Sequence, residues 1–247
     1  MYNYREDFWK KRAEYYEKLQ WATRSSYLGH FFDAGEFDSN DLLLDIGTGT
    51  GIIVHTISPY VDRAIGIDVS SSMLNRALSR RTYNETFMKC DARKLPFLED
   101  TFSKVTARMV FHHIVENTQK AMEECYRVLE KGGWMIFSEG VPPTENVKPF
   151  YVEMFKLKEE RLTFMEEDLE ELMVSSGFRI IKKLSYWETR SSIRNWLENS
   201  GLTQEIQDKI FQMHLDLDEQ GKKDYNMVIS NNDCFIDMKF VILAGEK

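Results

Sequence analysis

The sequence predicts an α/β fold in which a mostly parallel sheet is covered by helices on both faces. The short apolar run 42–46 stops at Gly47, and the run 64–68 ends with Asp68, as strands buried on both faces do. Segments of about a dozen residues with helical spacing separate such runs, and this alternation is typical of βαβ units. The length of 247 residues corresponds to one domain, with room for an elaborated cap.

The first half of the chain alternates in this way without a break. Residues 1–38 are predicted to be helical, with aromatic side chains among charges. In chain order we then expect a strand at 42–46, a helix at 52–58, a strand at 64–68, a helix at 70–81 capped by Ser70 or Ser71, strands at 87–90 and 104–111, a helix at 117–130 and a strand at 134–138.

Beyond residue 141 the regular alternation of predicted strands and helices ends. A proline-containing loop leads into a helical stretch, and the charged segment 156–161 at its end is predicted to be a solvated helix face. Two late strands, at 178–187 and 234–244, are too far apart for a tight hairpin, so the helices within 191–225 are expected to form an inserted cap. We expect one domain over 1–247, with its core at approximately 40–140, 163–189 and 233–247 and cap elements at approximately 1–38, 142–162 and 190–226.

Two helix boundaries carry local signals. Gly132-Gly133 follows the helix predicted at 117–130, where glycine commonly ends a helix. Thr163 and Glu166 form a capping-box pattern, which predicts a helix that begins there and is closed by Gly177.

Composition excludes several classes of protein. Hydrophobic residues make up 43% and aromatic residues 13% of the chain, which excludes a disordered or collagen-like polymer. Lys and Arg number 32 against 40 Asp and Glu, so the formal net charge is −8. Because binding to nucleic acid or anionic membranes requires clustered Lys and Arg, this balance argues against both kinds of partner.

The three cysteines, Cys90, Cys125 and Cys234, are widely spaced and contain no CxxC pair. This pattern predicts neither a disulfide framework nor a thiolate zinc site, and we expect no metal. The charged N-terminus lacks an apolar core, and no window approaches 18 uncharged apolar residues, so we expect no signal peptide and no membrane span. A cytoplasmic protein is the resulting expectation, with the oligomeric state left open.

A glycine-rich loop lies between the first predicted strand and the first predicted helix of the sheet. It contains Gly47, Gly49 and Gly51, whose missing side chains let the backbone turn tightly and approach a ligand. Asp68 ends the next strand, where an acidic side chain can accept hydrogen bonds from both ribose hydroxyls of an adenosine. The combination predicts a nucleotide-containing ligand, whereas tight turns in a ligand-free sheet are the plain alternative.

Two features of this loop distinguish between cofactors. Dinucleotide sites use glycines spaced G-x-G-x-x-G, but here the spacing is G-x-G-x-G. Asp45 precedes the loop, and its carboxylate would repel a pyrophosphate and attract an amino-acid ammonium. Both features favour S-adenosyl-L-methionine over NAD, which makes a nicotinamide-dependent oxidoreductase improbable.

Four sequence blocks, in order and spacing, resemble the class I S-adenosylmethionine-dependent methyltransferases, of the ubiquinone/menaquinone-biosynthesis-type (methyltransferase type 11-like) branch. The resemblance covers roughly residues 40–140, and its blocks are LLLDIGTGTG, AIGIDVSSSML, KCDARKLPF and RVLEKGGWMIFSE. It implies a Rossmann-like sheet of seven strands, mostly parallel, with an antiparallel last strand. The long insert at 190–226 departs from a minimal member of the family, which leaves the substrate class open.

The resemblance also implies a set of cofactor-binding residues. The methionine part of S-adenosylmethionine, or of its product S-adenosylhomocysteine, would be held by Asp45, Gly47, Thr48, Gly49 and Gly51. Asp68 would bind the ribose, Val69 and Met73 would flank the adenine, and Asp91 with the Ala92 amide would recognise the adenine amino group. We add Arg108, which either pairs with a carboxylate or phosphate in the pocket or forms a salt bridge to a neighbouring acid.

Candidate catalytic residues follow the fourth predicted strand. His112 and His113 lie at the carboxyl edge of the sheet, where either could take a proton from the acceptor, although packing of the strand end is the plain alternative. Methyl transfer is an in-line displacement that positioning can accelerate, so a base is needed only if the acceptor must lose a proton early. Candidate substrate-binding residues are Tyr16, Glu139, Arg190 and Trp196.

The sequence therefore favours a methyltransferase that acts on a small-molecule acceptor, in a pocket that the cap covers and keeps poor in water. An RNA or protein methyltransferase and a non-catalytic S-adenosylmethionine-binding protein are the alternatives. The acidic balance counts against RNA.

Overall fold

The computed structural model describes residues 4–247, except for the side chains of residues 4–7 and Gln20. Within these residues it has ten α-helices and eight β-strands. The helices are α1 (Tyr4–Tyr15), α2 (Ser25–Gly35), α3 (Ile52–Ile57), α4 (Ser71–Leu78), α5 (Thr118–Val128), α6 (Lys148–Lys158), α7 (Glu166–Ser175), α8 (Ile193–Glu198), α9 (Gln204–Leu215) and α10 (Glu219–Asp224). The strands are β1 (Leu42–Ile46), β2 (Arg63–Asp68), β3 (Glu85–Lys89), β4 (Phe102–Arg108), β5 (Leu129–Val141), β6 (Arg179–Ser192), β7 (Val228–Ser230) and β8 (Asp233–Glu246).

The strands form one sheet in the order β3-β2-β1-β4-β5-β8-β6. Strands β1 to β5 are parallel, whereas β8 runs antiparallel to both β5 and β6. The predicted α/β class, with an antiparallel last strand, is confirmed. The short β7 adds an eighth strand, because Asn231 and Asn232 take positive φ values of 52° and 59° and so turn the chain back from β7 onto β8.

Alternate residues of the sheet face two different apolar layers. Leu44 and Val105 point into the layer that contains α5 and α7, whereas Leu43 and Ala64 point into the layer that contains α2 and α3. A third apolar cluster lies away from the sheet centre and joins α6, α8 and α9 to the first residues of β8. The sheet is therefore covered on both faces, and the third cluster packs the late helices against α6.

The pair Gly132-Gly133 does not end a helix, contrary to the prediction. Helix α5 ends at Val128, and both glycines belong to β5, where the register against β4 shifts between Phe102 and Lys104. Gly132 has a φ of 79°, and a Cβ on Gly133 would lie 2.9 Å from the Glu130 carbonyl oxygen. The glycines are thus required by an irregularity in the strand.

The N-terminus of α7 also differs from its prediction. The cap is Met165, two residues after Thr163, and its backbone N–H donates to the Asp168 carboxylate at 2.7 Å. Asp168 performs the role expected of a glutamate at the third helical position. The C-terminal end of α7 agrees with the prediction, since Gly177 follows the helix with a φ of 104°.

Candidate active site

A cavity of about 260 Å³ lies at the carboxyl edge of the parallel strands, where ligands of open α/β sheets bind. On one side it is bordered by the residues that follow β1, β2, β3 and β4. On the other side it is bordered by α1, the end of α6 and α8. Helices therefore cover the sheet edge at which the sequence predicts the reaction.

The glycine loop after β1 has a shape that side chains would prevent. Gly47, Gly49 and Gly51 all have positive φ, at 61°, 55° and 85°. A Cβ on Gly47 would lie 2.1 Å from a methyl carbon of Val110, so this glycine allows the two loops to touch. At Gly49 a Cβ would meet nothing closer than the Gly47 carbonyl oxygen, at 3.9 Å, and the residue borders the cavity. Gly49 thus leaves open space against which a ligand can lie.

Asp45 lies beneath this loop and not in the cavity wall. It is buried, and its Oδ1 accepts a hydrogen bond from Thr106 Oγ1 at 2.7 Å. Burial raises the pKa of Asp45 to about 6. Thr48 and Gly51, within the loop, are also buried and do not border the cavity. The Thr48 backbone N–H donates to the Ile67 carbonyl oxygen at 2.8 Å.

Asp68 joins the first two loops at the sheet edge. One of its oxygens accepts from the Gly49 backbone N–H at 2.9 Å, and the other accepts from the Ser70 N–H at 2.8 Å. The side chain borders the cavity, as do the exposed Val69 and the buried Met73. The structure therefore brings together three of the five residues that the resemblance assigned to the adenosine.

Asp91 and Ala92 border the cavity from the loop after β3. The Asp91 carboxylate pairs with Arg93, at 2.6 Å from Nη2, and accepts from the Arg93 backbone N–H at 2.9 Å. Arg93 also borders the cavity, although no sequence pattern singled it out.

Arg108 is buried at the end of β4 and borders the cavity. Its Nη1 donates to the Ala22 carbonyl oxygen at 3.0 Å, and its guanidinium carbon lies 5.4 Å from the centre of the Tyr27 ring. Arg108 thus holds the segment before α2 against the sheet, in addition to facing the pocket.

Glu139 does not border the cavity, which corrects its prediction as a substrate-binding residue. Its Oε1 accepts from the backbone N–H groups of Val110 and Phe111 at 3.0 and 2.7 Å. Its Oε2 lies 2.5 Å from His112 Nδ1. Burial raises the pKa of Glu139 to about 7. Burial, followed by the nearby Arg161, lowers the pKa of His112 well below its usual value.

His112 and His113 both border the cavity. Their ring centres are 3.9 Å apart, and the Trp9 ring meets His113 edge-on at 4.7 Å. One ligand atom each from His112, His113 and Glu159 lies within 4.8 Å of the other two, a donor set that could surround a metal ion. Glu159, however, already pairs with Arg12 at 2.6 Å.

The segment 156–161 is not a solvated helix face, contrary to the prediction. Lys156 conforms, because it is exposed on α6 and pairs with Glu153, whereas the exposed Glu160 lies beyond the helix. Helix α6 ends at Lys158 and Glu159 takes an extended conformation, so the chain turns into the cavity wall. Lys158, Glu159 and Arg161 border the cavity with side chains that are 2%, 4% and 4% exposed.

Of the three remaining candidate substrate-binding residues, two border the cavity and one does not. Tyr16 and Trp196 border the cavity from the two covering sides. Arg190 does not: it is exposed, has a φ of 57° at an irregularity of β6, and donates its backbone N–H to Asp237. The side chain therefore has no part in the pocket.

Several cavity residues were missed by sequence reasoning. They lie on α1, on α6 and just after it, and on β8, and they include Arg12, Tyr151, Phe155, Lys158, Arg161, Met238 and Phe240. The one available signal was the placement of Tyr151 and Phe155 four residues apart, on one face of a helix. Such a pair equally indicates core packing, so it did not identify them.

Known proteins resemble this chain at the level of sequence and of fold. A methyltransferase domain family matches residues 44–137. The Bacillus subtilis protein YcgJ, named as an uncharacterized methyltransferase, is 24% identical over 245 residues, which are 96% of each chain. The ubiquinone/menaquinone biosynthesis C-methyltransferase UbiE of Desulfotalea psychrophila is 34% identical over 116 residues, or 46% of this chain and 47% of that protein. The solved structure of BH2331 from Bacillus halodurans has a TM-score of 0.81 at 20% identity, over 90% of this chain and 99% of that one.

The matched residues contain the glycine loop, Asp68 and Asp91, on which the resemblance was based. The sequence interpretation is therefore confirmed, and S-adenosyl-L-methionine is the cofactor. The chain contains a methyltransferase domain over residues 44–137 and is an S-adenosylmethionine-dependent methyltransferase, similar in part of its sequence to the ubiquinone/menaquinone-biosynthesis enzymes.

Proposed function

We propose that this methyltransferase acts on a small-molecule acceptor inside the covered cavity. The observation that carries this proposal is that one cavity is bordered both by the glycine loop and by the cap residues. An acceptor lying between the two sides would be held next to the cofactor and away from bulk water.

The residues of the sheet edge fit the cofactor. We propose that Gly49 lies against its methionine part, that Asp68 binds its ribose hydroxyls, and that Asp91 and Ala92 recognise its adenine. The shape of the loop would come from Gly47, Thr48 and Gly51, with Asp45 buried beneath it. Val69, Met73 and Arg108 would complete the wall. When bound, S-adenosylmethionine supplies an electrophilic methyl group on its sulfonium.

His112 is the proton acceptor that we propose for acceptors that must lose a proton. Glu139 occupies His112 Nδ1, so the other ring nitrogen, Nε2, is the one available for proton transfer. The lowered pKa of His112 keeps the ring neutral near pH 7, which is the form a general base requires. His113 packs against the His112 ring and Trp9, a position that suits orientation of the acceptor.

The covered cavity and the net charge of −8 support a small molecule over RNA or a folded protein. No helix among residues 4–247 has the length and apolar character needed to cross a bilayer. We keep a cytoplasmic location as part of the proposal, since the described cysteines are all free.

Isothermal titration calorimetry with S-adenosylhomocysteine and with NAD tests the cofactor side of this proposal. We expect wild-type protein to bind S-adenosylhomocysteine alone, with micromolar affinity. Asp68→Ala should weaken that binding about 100-fold or more, since it removes a charged acceptor from the ribose hydroxyls. Asp62→Ala, at an exposed aspartate before β2, is the matched control and should bind as wild type does.

Unchanged affinity in Asp68→Ala would contradict the proposed site. With the cofactor side established, the acceptor is sought by following S-adenosylhomocysteine release over a panel of small molecules. Turnover with bulk RNA or protein, and with no small molecule, would contradict the proposed acceptor class.

A further inference from the structure

The cap side of the cavity carries more positive than negative charge. Arg12, Lys158 and Arg161 border it, and their side chains are no more than 8% exposed. One buried carboxylate, that of Glu159, lies among them, 2.6 Å from Arg12 Nη1, 2.9 Å from Lys158 Nζ and 3.8 Å from Arg161 Nη1. Arg12, Lys158 and Arg161 therefore share one carboxylate. Whenever Lys158 is protonated, the cluster has an excess of positive charge, which burial makes costly.

The environments of these groups agree with an excess of positive charge. Although burial opposes it, the neighbouring Lys158 and Arg12 hold the pKa of Glu159 well below its usual range, so its carboxylate stays ionised. Burial, and then the charge of Arg12, lowers the pKa of Lys158 to about 7. Glu160 also borders the cavity, but it is exposed.

Hydrogen-bond donors in this cluster remain for a ligand. Among the described residues, the buried Nε of Arg12 has no hydrogen-bond partner. Arg161 reaches Glu159 only at 3.8 Å, its Nε donates to the Leu162 carbonyl oxygen, and its side chain also hydrogen-bonds with Tyr151. Guanidinium groups match carboxylates and phosphates because several donors point in one direction.

Aromatic rings lie beside the cations. The Arg161 guanidinium carbon is 4.1 Å from the centre of the Phe155 ring, and Lys158 Nζ is 5.5 Å from that of Trp196. Both rings border the cavity. This wall suits a ligand that has an anionic group on an apolar or aromatic body.

We propose that the methyl acceptor is an organic anion, a carboxylate or a phosphate, whose charged group pairs with Arg12, Lys158 and Arg161. Its apolar body lies against Phe155 and Trp196. This inference rests on the proposed function, since it names the class of molecule that occupies the cap side of the same cavity.

A metal ion is the competing occupant, because ligand atoms of His112, His113 and Glu159 lie within 4.8 Å of one another. The surrounding cations oppose a further positive charge, and the Oε2 atom of Glu159 is already paired with Arg12. The charge of the cluster therefore favours an anion.

The test uses wild-type protein saturated with S-adenosylhomocysteine, titrated by calorimetry in buffer containing EDTA. The probes are 3-phenylpropionate, phenyl phosphate and the neutral 3-phenylpropionamide. We expect at least one of the two anions to bind at least about tenfold more tightly than the amide, and which anion binds distinguishes carboxylate from phosphate. Arg161→Gln should remove this preference without changing the affinity for S-adenosylhomocysteine. Lys158→Gln is a second variant, in case Arg161→Gln does not fold.

Lys156→Gln is the matched control, because this exposed lysine lies on the same helix and pairs only with Glu153 among the described residues. It should retain the preference for anions. Equal binding of the anion and the amide, or no binding of either anion, would overturn the proposal. So would anion binding that requires added Zn²⁺ and is lost in EDTA.

Two results separate this proposal from others. 5′-Methylthioadenosine lacks the carboxylate of S-adenosylhomocysteine. If Arg161→Gln weakened the binding of S-adenosylhomocysteine but not that of 5′-methylthioadenosine, the cations would bind the cofactor's own carboxylate, and the proposal would fall. If wild-type protein bound no S-adenosylhomocysteine, the proposed function would fail at its first step, before the acceptor is considered.

Discussion

The side chain of Glu139 both stabilises the loop after β4 and orients the His112 ring. It lies near the end of β5 at the sheet edge, where a carboxylate would reach a ligand in an open site. Instead it turns toward the loop after β4 and accepts hydrogen bonds from the N–H groups of Val110 and Phe111, which are shielded from water in part or in full. The same carboxylate fixes His112 through Nδ1, which makes Glu139 a positioning residue.

Substitution of Glu139 should therefore separate these two roles. In Glu139→Gln the amide carbonyl can still accept from the loop, whereas the amide N–H₂ would make His112 Nδ1 an acceptor and leave the proton on Nε2. We expect kcat to fall about 100-fold with KM little changed, and the free energy of unfolding to change by less than about 1 kcal/mol. Glu139→Ala should lower the free energy of unfolding by about 3 kcal/mol.

Steady-state kinetics with the identified acceptor and urea unfolding measure these effects. Glu130→Gln, at an exposed glutamate of the same strand, is the control. Wild-type kcat in Glu139→Gln would show that His112 does not act through the nitrogen proposed here.

At the scale of elements, β5 and α6 both differ from their local sequence signals. The glycine pair that would end a helix instead lets β5 start early, because β4 offers it a parallel partner at Leu129 and again at Trp134. The charged end of α6 enters the cavity wall because Glu159 leaves the helix and the Leu162 N–H bonds to the His112 carbonyl oxygen at 2.8 Å. In both cases a tertiary contact overrides a local preference.

The strand irregularity gives a prediction for Gly133. In Gly133→Ala the new methyl carbon would lie 2.9 and 3.0 Å from two backbone oxygens, of Glu130 and Ser103, which cannot move independently. We expect a loss of about 2 kcal/mol in the free energy of unfolding. Gly29→Ala in α2 is the control, since a Cβ there meets nothing within 4 Å and should stabilise the protein by about 0.5–1 kcal/mol. Equal stability of the two variants, measured by urea unfolding, would refute the role given to Gly133.

At the scale of the whole molecule, the cap and the sheet are continuous through β8. Cys234 and Ile236, near its start, belong to the apolar cluster of α6, α8 and α9, whereas Val241 and Leu243 belong to the sheet core. The covering helices are thus attached to the sheet by a strand that belongs to both.

The buried His214 of α9 makes the stability of the fold depend on pH. Burial lowers the pKa of His214 to about 4, against 6.5 in the unfolded chain. The unfolded chain therefore binds the proton first as the pH falls, so stability is complete above pH 6.5 and declines toward pH 4. The difference between the two pKa values corresponds to about 3 kcal/mol.

Urea unfolding between pH 7 and pH 4 checks this expectation as a difference between variants. Asp45 and Glu139 have raised pKa values and act in the opposite direction, so only the comparison isolates His214. His214→Gln should lose less stability than wild type over this range, whereas His30→Gln, at an exposed histidine of α2, should follow wild type. Parallel curves for wild type and His214→Gln would contradict the prediction.

The sequence by itself determined the central sheet and the cofactor side of the site. Both depend on local patterns: apolar runs define the buried strands, and the positions of Gly49, Asp68 and Asp91 follow directly from strand ends that a parallel sheet brings to one edge. Each of these residues is placed by the strand next to it, so no distant contact is needed to predict its position.

Only the tertiary structure decided the acceptor side. Arg12, Lys158 and Trp196 come from three separate segments, and their positions depend on how α1, α6 and α8 pack over the sheet. Lys158 is buried beside Glu159, whereas Lys156, two positions earlier in the same charged segment, is exposed. Burial, and with it the charge balance of the cavity, is a property of packing between distant elements, which a local pattern does not record.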